Sequence, residues 1–324
     1  MKFLMALVVV EIHTLGLHEL PLIILNGFIM PLEDISVPLF FVFSSYLFFA
    51  KVRYMNFSSC IKHIVRFEKR LAILYFFWCI MNFVLVWKHK AYLHEISITT
   101  PILFIKDFLF GYIYPSSWFF GALMVSVLII FVFSRVFPDY VIWIIPLLIG
   151  IYCMYGKDLS SPYDVPYDYY YENIREPNLS CPRALFWVTL GHLASNPKVR
   201  NVYANLKNRE TIILLLMAMG MWSIEKYSAI LMGVIALFTI AYKMKLPDRY
   251  QQFYYKLRVF STWFYCLHML LIYMYNMVVL HFDIKLISNH FCCYIFVLLG
   301  LIIIANLLYS LKASRYFSWL RYSY

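Results

Sequence analysis

Apolar residues run through this chain in long, nearly unbroken blocks separated by short polar stretches, not in the alternation of a half-buried strand or the stripe of a surface helix. A helix that crosses a bilayer needs about 20 mostly apolar residues at 1.5 Å each. Ten blocks answer to that description, at roughly 2–17, 35–50, 71–87, 118–135, 140–155, 183–195, 211–224, 227–242, 260–280 and 291–311. A further block at 100–114 carries Lys106 and Asp107 and reads as an interfacial or re-entrant helix. The pattern predicts an all-α, polytopic membrane protein of about ten transmembrane helices, forming one membrane domain over 1–324. No internal repeat is visible, which weighs against an inverted-repeat transporter. The first block also runs on without a small-residue cleavage site, so no cleavable signal peptide is expected.

Composition agrees. Of the 324 residues, 63% are apolar and 14% charged, against about 45–50% and about 25% in ordinary soluble domains. With 29 Phe, 28 Tyr and 8 Trp, the chain lacks the polar residues to cover a globule. That excludes a soluble enzyme, and disorder needs the opposite balance. The net charge of +11 has a positional cause. With the N-terminus inside, the inner stretches are 1–2, 51–70, 135–139, 196–210, 243–258 and the tail after 311, and they hold 20 of the 28 Lys and Arg. The outer stretches hold 8 basic and 12 acidic residues. This positive-inside bias places both termini in the cytoplasm and gives no reason to invoke nucleic acid. A crossing at 100–114 would put the basic 243–258 stretch outside. The outer loop 156–182, rich in Tyr, Pro and Asp, suits either a lid with interfacial aromatics or a surface that stacks on sugars or lipid headgroups. The seven cysteines form neither a disulfide framework nor a metal-ligand spacing, and no P-loop, HExxH or dinucleotide fingerprint is present.

Ionisable groups within apolar spans are costly, so each calls for a reason. The first span holds Lys2, Glu11 and His13. Lys2 and His13 lie eleven residues apart, close to three turns, and so share a face with His13 about 16 Å deeper. A cation at the inner surface and an imidazole far inside suggest a polar tunnel; the plainer alternative is a packing histidine. A buried neutral imidazole is also the usual general base near pH 7. Glu11 points about 200° away from His13, which predicts a partner on another helix. In KHIVRFEKRL, Arg66, Lys69 and Arg70 share a helical face at the inner mouth of the third span. They suit a phosphorylated ligand, or simply anchor the helix at anionic lipid. His268 is a second imidazole inside a span, whereas His192 lies near an inner boundary and is weaker evidence.

These residues together resemble the membrane acyltransferase 3 family, the O-acyltransferases that decorate bacterial surface polysaccharides. Lys2, ten residues, then His13 in VVVEIHTLG is similar to the family's basic-residue-to-histidine signature. VPLFFVFSSYLFF resembles its VPLFFxxSGYL segment, with Ser45 in place of the glycine. RFEKRLAILYFFW, SSWFFGALM, LFWVTLGHLAS and FSTWFYCLHMLLIY follow in the family's order. The resemblance implies His13 as catalytic histidine and Lys2 as its paired basic residue. Arg66 and Lys69 take the places of an Arg-x-x-Arg element, with Arg70 able to substitute for the lost second arginine. Trp118 and His268 match recurrent positions and, with Glu11, are supporting residues without an assigned role. Two departures stand out. Lys2 stands almost at the first residue of the sequence, where the family has a cytosolic lead-in. A lysine at 69 also lacks the planar fork that holds an anion bidentately.

The implied reaction is transfer of an acyl group, usually acetyl, from cytosolic acyl-coenzyme A (acetyl-CoA) to a sugar hydroxyl of a polysaccharide or its lipid-linked glycan precursor. The implied setting is the bacterial inner membrane, with membrane lipid as the surrounding partner. Thioester chemistry needs no metal; it needs a base, an oxyanion donor and an aligned dry site. His13 supplies the base, and Lys2, Arg66, Lys69 and Arg70 hold the donor; the sequence identifies no oxyanion donor, a main-chain amide, Ser44 and Ser45 being guesses only. A non-enzymatic flippase or exporter of lipid-linked polysaccharide explains the spans and basic loops equally well. It does not explain why an imidazole shares a face with an inner cation. The sequence sets no oligomeric state.

Overall fold

The computed structural model of the protein describes residues 1–159, 161–244, 247–282, 289–312, 319–320 and 322–324. Lys245 and Leu246 of the expected inner stretch, 313–318 and Arg321 of the tail, 283–288 before the last span and Ser160 of the outer loop lie outside the described residues.

The chain is 83% helical, with no strand among the described residues. In order, the helices are α1 Lys2–Thr14, α2 Leu22–Ile24, α3 Met30–Val52, α4 Phe57–Met81 and α5 Phe83–His89. Then come α6 Thr100–Leu109, α7 Trp118–Val136, α8 Asp139–Tyr155, α9 Val165–Asn173 and α10 Cys181–Ala194. The last are α11 Pro197–Asn205, α12 Asn208–Met221, α13 Lys226–Lys243, α14 Gln251–Phe282 and α15 His290–Leu311. Side chains start several of them: Asn56 Oδ1 accepts from the Ser59 N–H ahead of α4, and Asn289 Oδ1 accepts from the Cys292 N–H ahead of α15.

Every one of the ten apolar blocks contains a helix, but they differ in reach. Six helical segments are long and apolar enough to cross a bilayer: Leu22–Val52, Trp118–Val136, Asp139–Asp158, Lys226–Lys243, Asp248–Phe282 and His290–Leu311. The helices in blocks 2–17, 183–195 and 211–224 have 13, 14 and 14 residues, short of the usual spanning length. The block at 71–87 is broken. At Asn82 the chain turns by 82° between α4 and α5, and the Asn82 side chain donates to the Trp78 carbonyl at 2.9 Å. The block at 100–114 contains the ten-residue α6, too short to cross.

The first block ends earlier than its apolar run. Leu15 takes a left-handed conformation (φ 55°, ψ 26°) and closes α1 at Thr14, its N–H returning to the Glu11 carbonyl. Gly16 follows because nothing larger fits: a Cβ there would lie 2.3 Å from Cβ of Tyr294 on α15.

The chain divides into two compact units, Met1–Phe40 with Leu206–Tyr324, and Phe41–Asn205. In the first, α1 packs on α14 and α15, and α12 pairs with α13. Phe3 packs on Phe264 with ring centres 5.3 Å apart and planes tilted by 58°. In the second, α10 packs against α7 and α8, while α4 and α6 lie on α7.

Candidate active site

His13 sits in the last turn of α1 and presents open surface, though protein crowds it on most sides. Lys2 begins the same helix, so the two share one continuous helical face as the spacing predicts. Against His13 stands His268 of α14, with ring centres 5.0 Å apart and planes tilted by 32°. His268 is fully buried, and its Nδ1 lies 3.1 Å from the Phe264 carbonyl. A carbonyl only accepts, so Nδ1 carries the proton and Nε2 is left as a bare acceptor. Nε2 has no hydrogen-bond partner among the described residues. An open imidazole backed by a buried one with a fixed tautomer is the most chemically suggestive arrangement in this unit.

Glu11 takes one partner from the turn that follows its own helix. It is buried at the end of α1, and Oε1 accepts the Leu17 N–H at 2.7 Å. The early closure of α1 at Leu15 folds the chain back over the carboxylate, so the first partner comes from its own turn.

In the second unit, Arg66, Lys69 and Arg70 all lie exposed on α4 and form no hydrogen bond or ion pair among the described residues. Trp118 opens α7 half-buried, its ring centre 5.8 Å from that of Phe41. Ser45 is not available as an oxyanion donor: its hydroxyl donates to the Phe41 carbonyl at 2.8 Å. A Cβ on Gly191 of α10 would fall 1.8 Å from that same oxygen, so the serine is wedged against a glycine. His192 is a packing residue. Its Nδ1 accepts from Trp143 Nε1 at 3.3 Å and its ring meets the edge of Phe49.

Two polar centres of the second unit escaped the sequence. Ser117 Oγ accepts the N–H groups of Ile113 and Tyr114 at 3.0 and 3.1 Å and bonds the Tyr75 hydroxyl at 3.2 Å. This ties down the turn before α7. Lys90 donates to Asp107 Oδ2 at 2.7 Å, and Tyr92 donates to the same oxygen at 3.1 Å. Lys90 Nζ also lies 4.2 Å from the Tyr112 ring centre, and the Arg175 guanidinium 3.8 Å from it. Burial pulls Lys90 below the ordinary lysine range, although Asp107 pulls the other way; burial likewise lowers Arg175. The one available signal was the charged pair Lys106-Asp107 inside an apolar block, because a carboxylate placed there needs a cation.

A family model described as an acyltransferase domain matches residues 1–309 of the chain. No curated protein and no solved structure matches it.

Proposed function

Because the chain belongs to the acyltransferase 3 family, a multi-pass membrane acyltransferase family, we propose that it is an O-acyltransferase that moves an acyl group, acetyl in the first instance, from acyl-coenzyme A to a sugar hydroxyl. The acceptor is a cell-surface polysaccharide or its lipid-linked precursor, and the setting is the bacterial inner membrane. The observation that carries the reading is the approach of His13 to His268 within a chain matched along nearly its whole length.

In this reading His13 is the general base. It takes the proton of the sugar hydroxyl as that oxygen attacks the thioester carbonyl; the C–S bond breaks, and the departing thiolate of coenzyme A takes up the proton. His268 is a positioning residue. Were an N–H of His13 to turn toward the bare Nε2 during the reaction, it would fix the tautomer that leaves the other nitrogen of His13 basic toward the acceptor. Lys2, Arg66, Lys69 and Arg70 are assigned to the anionic donor, and the exposed Arg66, Lys69 and Arg70 of α4 suit the phosphates of coenzyme A.

The test is His13→Gln, which keeps size and hydrogen-bonding capacity but cannot take a proton at neutral pH. Membranes carrying this variant at wild-type abundance should transfer labelled acyl groups on the order of 10²–10⁴-fold more slowly. Retention of more than about a tenth of the rate makes His13 structural. Absence of acylated product from the wild-type chain itself, with lipid-linked sugar still moved across the membrane, returns the exporter.

A further inference from the structure

The turn that ends α1 gathers three further ligating side chains. His18 Nε2 lies 3.0 and 3.3 Å from the two carboxylate oxygens of Glu33 on α3. One carboxylate oxygen of Glu11 joins them, so that the three donor atoms lie within 4.8 Å of one another. Glu11 is only 3% exposed, and its Oε2 has no hydrogen-bond partner among the described residues. The charge is equally unbalanced. Two carboxylates face one imidazole, leaving net negative charge even with the imidazole protonated. The neighbouring Asp34 shows the contrast: it has its own cation, Lys226 at 2.9 Å, and accepts from Trp222 at 2.8 Å. Among the described residues no lysine or arginine forms an ion pair with Glu11 or Glu33.

A buried carboxylate oxygen without a donor is costly, and a cation removes the cost. One imidazole and two carboxylates are a donor set for a divalent metal of intermediate softness. Around such an ion, donors at about 2.0–2.2 Å stand roughly 3.4 Å apart, close to the His18–Glu33 spacing, and Glu11 lies within 4.8 Å of both. We propose that Glu11, His18 and Glu33 bind one divalent ion of the zinc class, leaving a coordination position for water. The ion pins the turn after α1 to the start of α3. Acyl transfer needs no metal, so this role is structural, and the inference stands independently of the reading above.

The experiment uses the full chain, purified in detergent without a metal-affinity tag, stripped with a chelator and then dialysed against Zn²⁺. Bound zinc is counted by atomic emission, and Co²⁺ replacement is followed by visible absorption. The expected result is one tightly held zinc per chain, a Co²⁺ spectrum of tetrahedral intensity and a raised unfolding temperature on loading. Glu33→Gln and, separately, His18→Asn should each weaken zinc binding at least tenfold. His281→Ala, which alters a histidine elsewhere, should leave it unchanged. Failure of the wild-type chain to retain zinc overturns the proposal without recourse to any variant. So does retention unaltered by either substitution, which marks an adventitious site. Preference for Ca²⁺ or Mg²⁺ over Zn²⁺ overturns the assignment of metal class.

Discussion

The Lys90–Asp107 pair allows the sharpest quantitative test of the fold. The two side chains are only 8% and 15% exposed and meet at 2.7 Å. Removing one partner of a buried pair typically costs about 3–5 kcal/mol, because the survivor is left uncompensated, whereas removing both costs much less. Here the survivors keep partial substitutes. After Lys90→Met, Asp107 still accepts from Tyr92; after Asp107→Asn, the ammonium still faces the Tyr112 ring. Each single variant is therefore expected near the lower end, about 3 kcal/mol. In a buried pair the desolvation of both charges offsets much of their attraction, so the intact pair contributes little net stability. The double variant Lys90→Met with Asp107→Asn should accordingly cost under about 2 kcal/mol, giving a coupling energy of at least about 4 kcal/mol. Equilibrium unfolding in mixed detergent micelles, followed by circular dichroism on all four proteins, measures it. Added salt should change the coupling little, since the pair is shielded from solvent. Costs that add within about 0.5 kcal/mol would refute the argument.

Other consequences are equally open to measurement. Replacing Arg66 and Arg70 together by Gln should raise KM for acyl-coenzyme A several-fold while leaving KM for the acceptor unchanged, the modest size following from their exposure; an unchanged donor KM assigns the cluster to lipid anchoring. On a background without native cysteines, a cysteine at Asp168 should react with an impermeant reagent only from outside the cell, and one at Lys62 only from inside; the reverse pattern overturns the orientation drawn from the basic residues. Gly16→Ala puts a methyl 2.3 Å from Tyr294 Cβ and should destabilise by about 1–3 kcal/mol, whereas Gly27→Ala meets nothing within 4 Å and should be neutral or better; equal unfolding temperatures for the two would contradict the packing of α1 on α15.

The helical class was legible because apolar runs of spanning length have few other uses, and the helices lie where those runs are. What escaped the sequence was decided by contacts between distant residues. Asn82 sits in an apolar run and looks like a tolerated polar residue, yet it marks an 82° break. Leu15 carries no hint of positive φ, which leucine rarely adopts; only Gly16 beside it hinted that α1 would stop. Ser45 reads as a free hydroxyl until Gly191 is seen against it. His13 and Lys2 were legible together because they lie on one helix. The approach of His268 was not, because no spacing rule links α1 to α14.

The sharp turn at Asn82 also acts as a depth gauge. Beyond it α5 runs across the line of α4 rather than along it, and it exposes Phe83, Val84 and Trp87. Trp87 is of the type that favours the boundary between lipid tails and headgroups, so with α4 crossing the bilayer α5 would rest there like a foot. A straight helix can slide or tilt when the bilayer thins or thickens; one ending in a foot at 82° cannot do so without dragging aromatic surface into water. From Met81 back to Arg66 is about 22 Å of rigid helix. The height of the basic face is thus set by a ruler built into the chain, and a thinner membrane alters how far those cations protrude instead of where the helix stands.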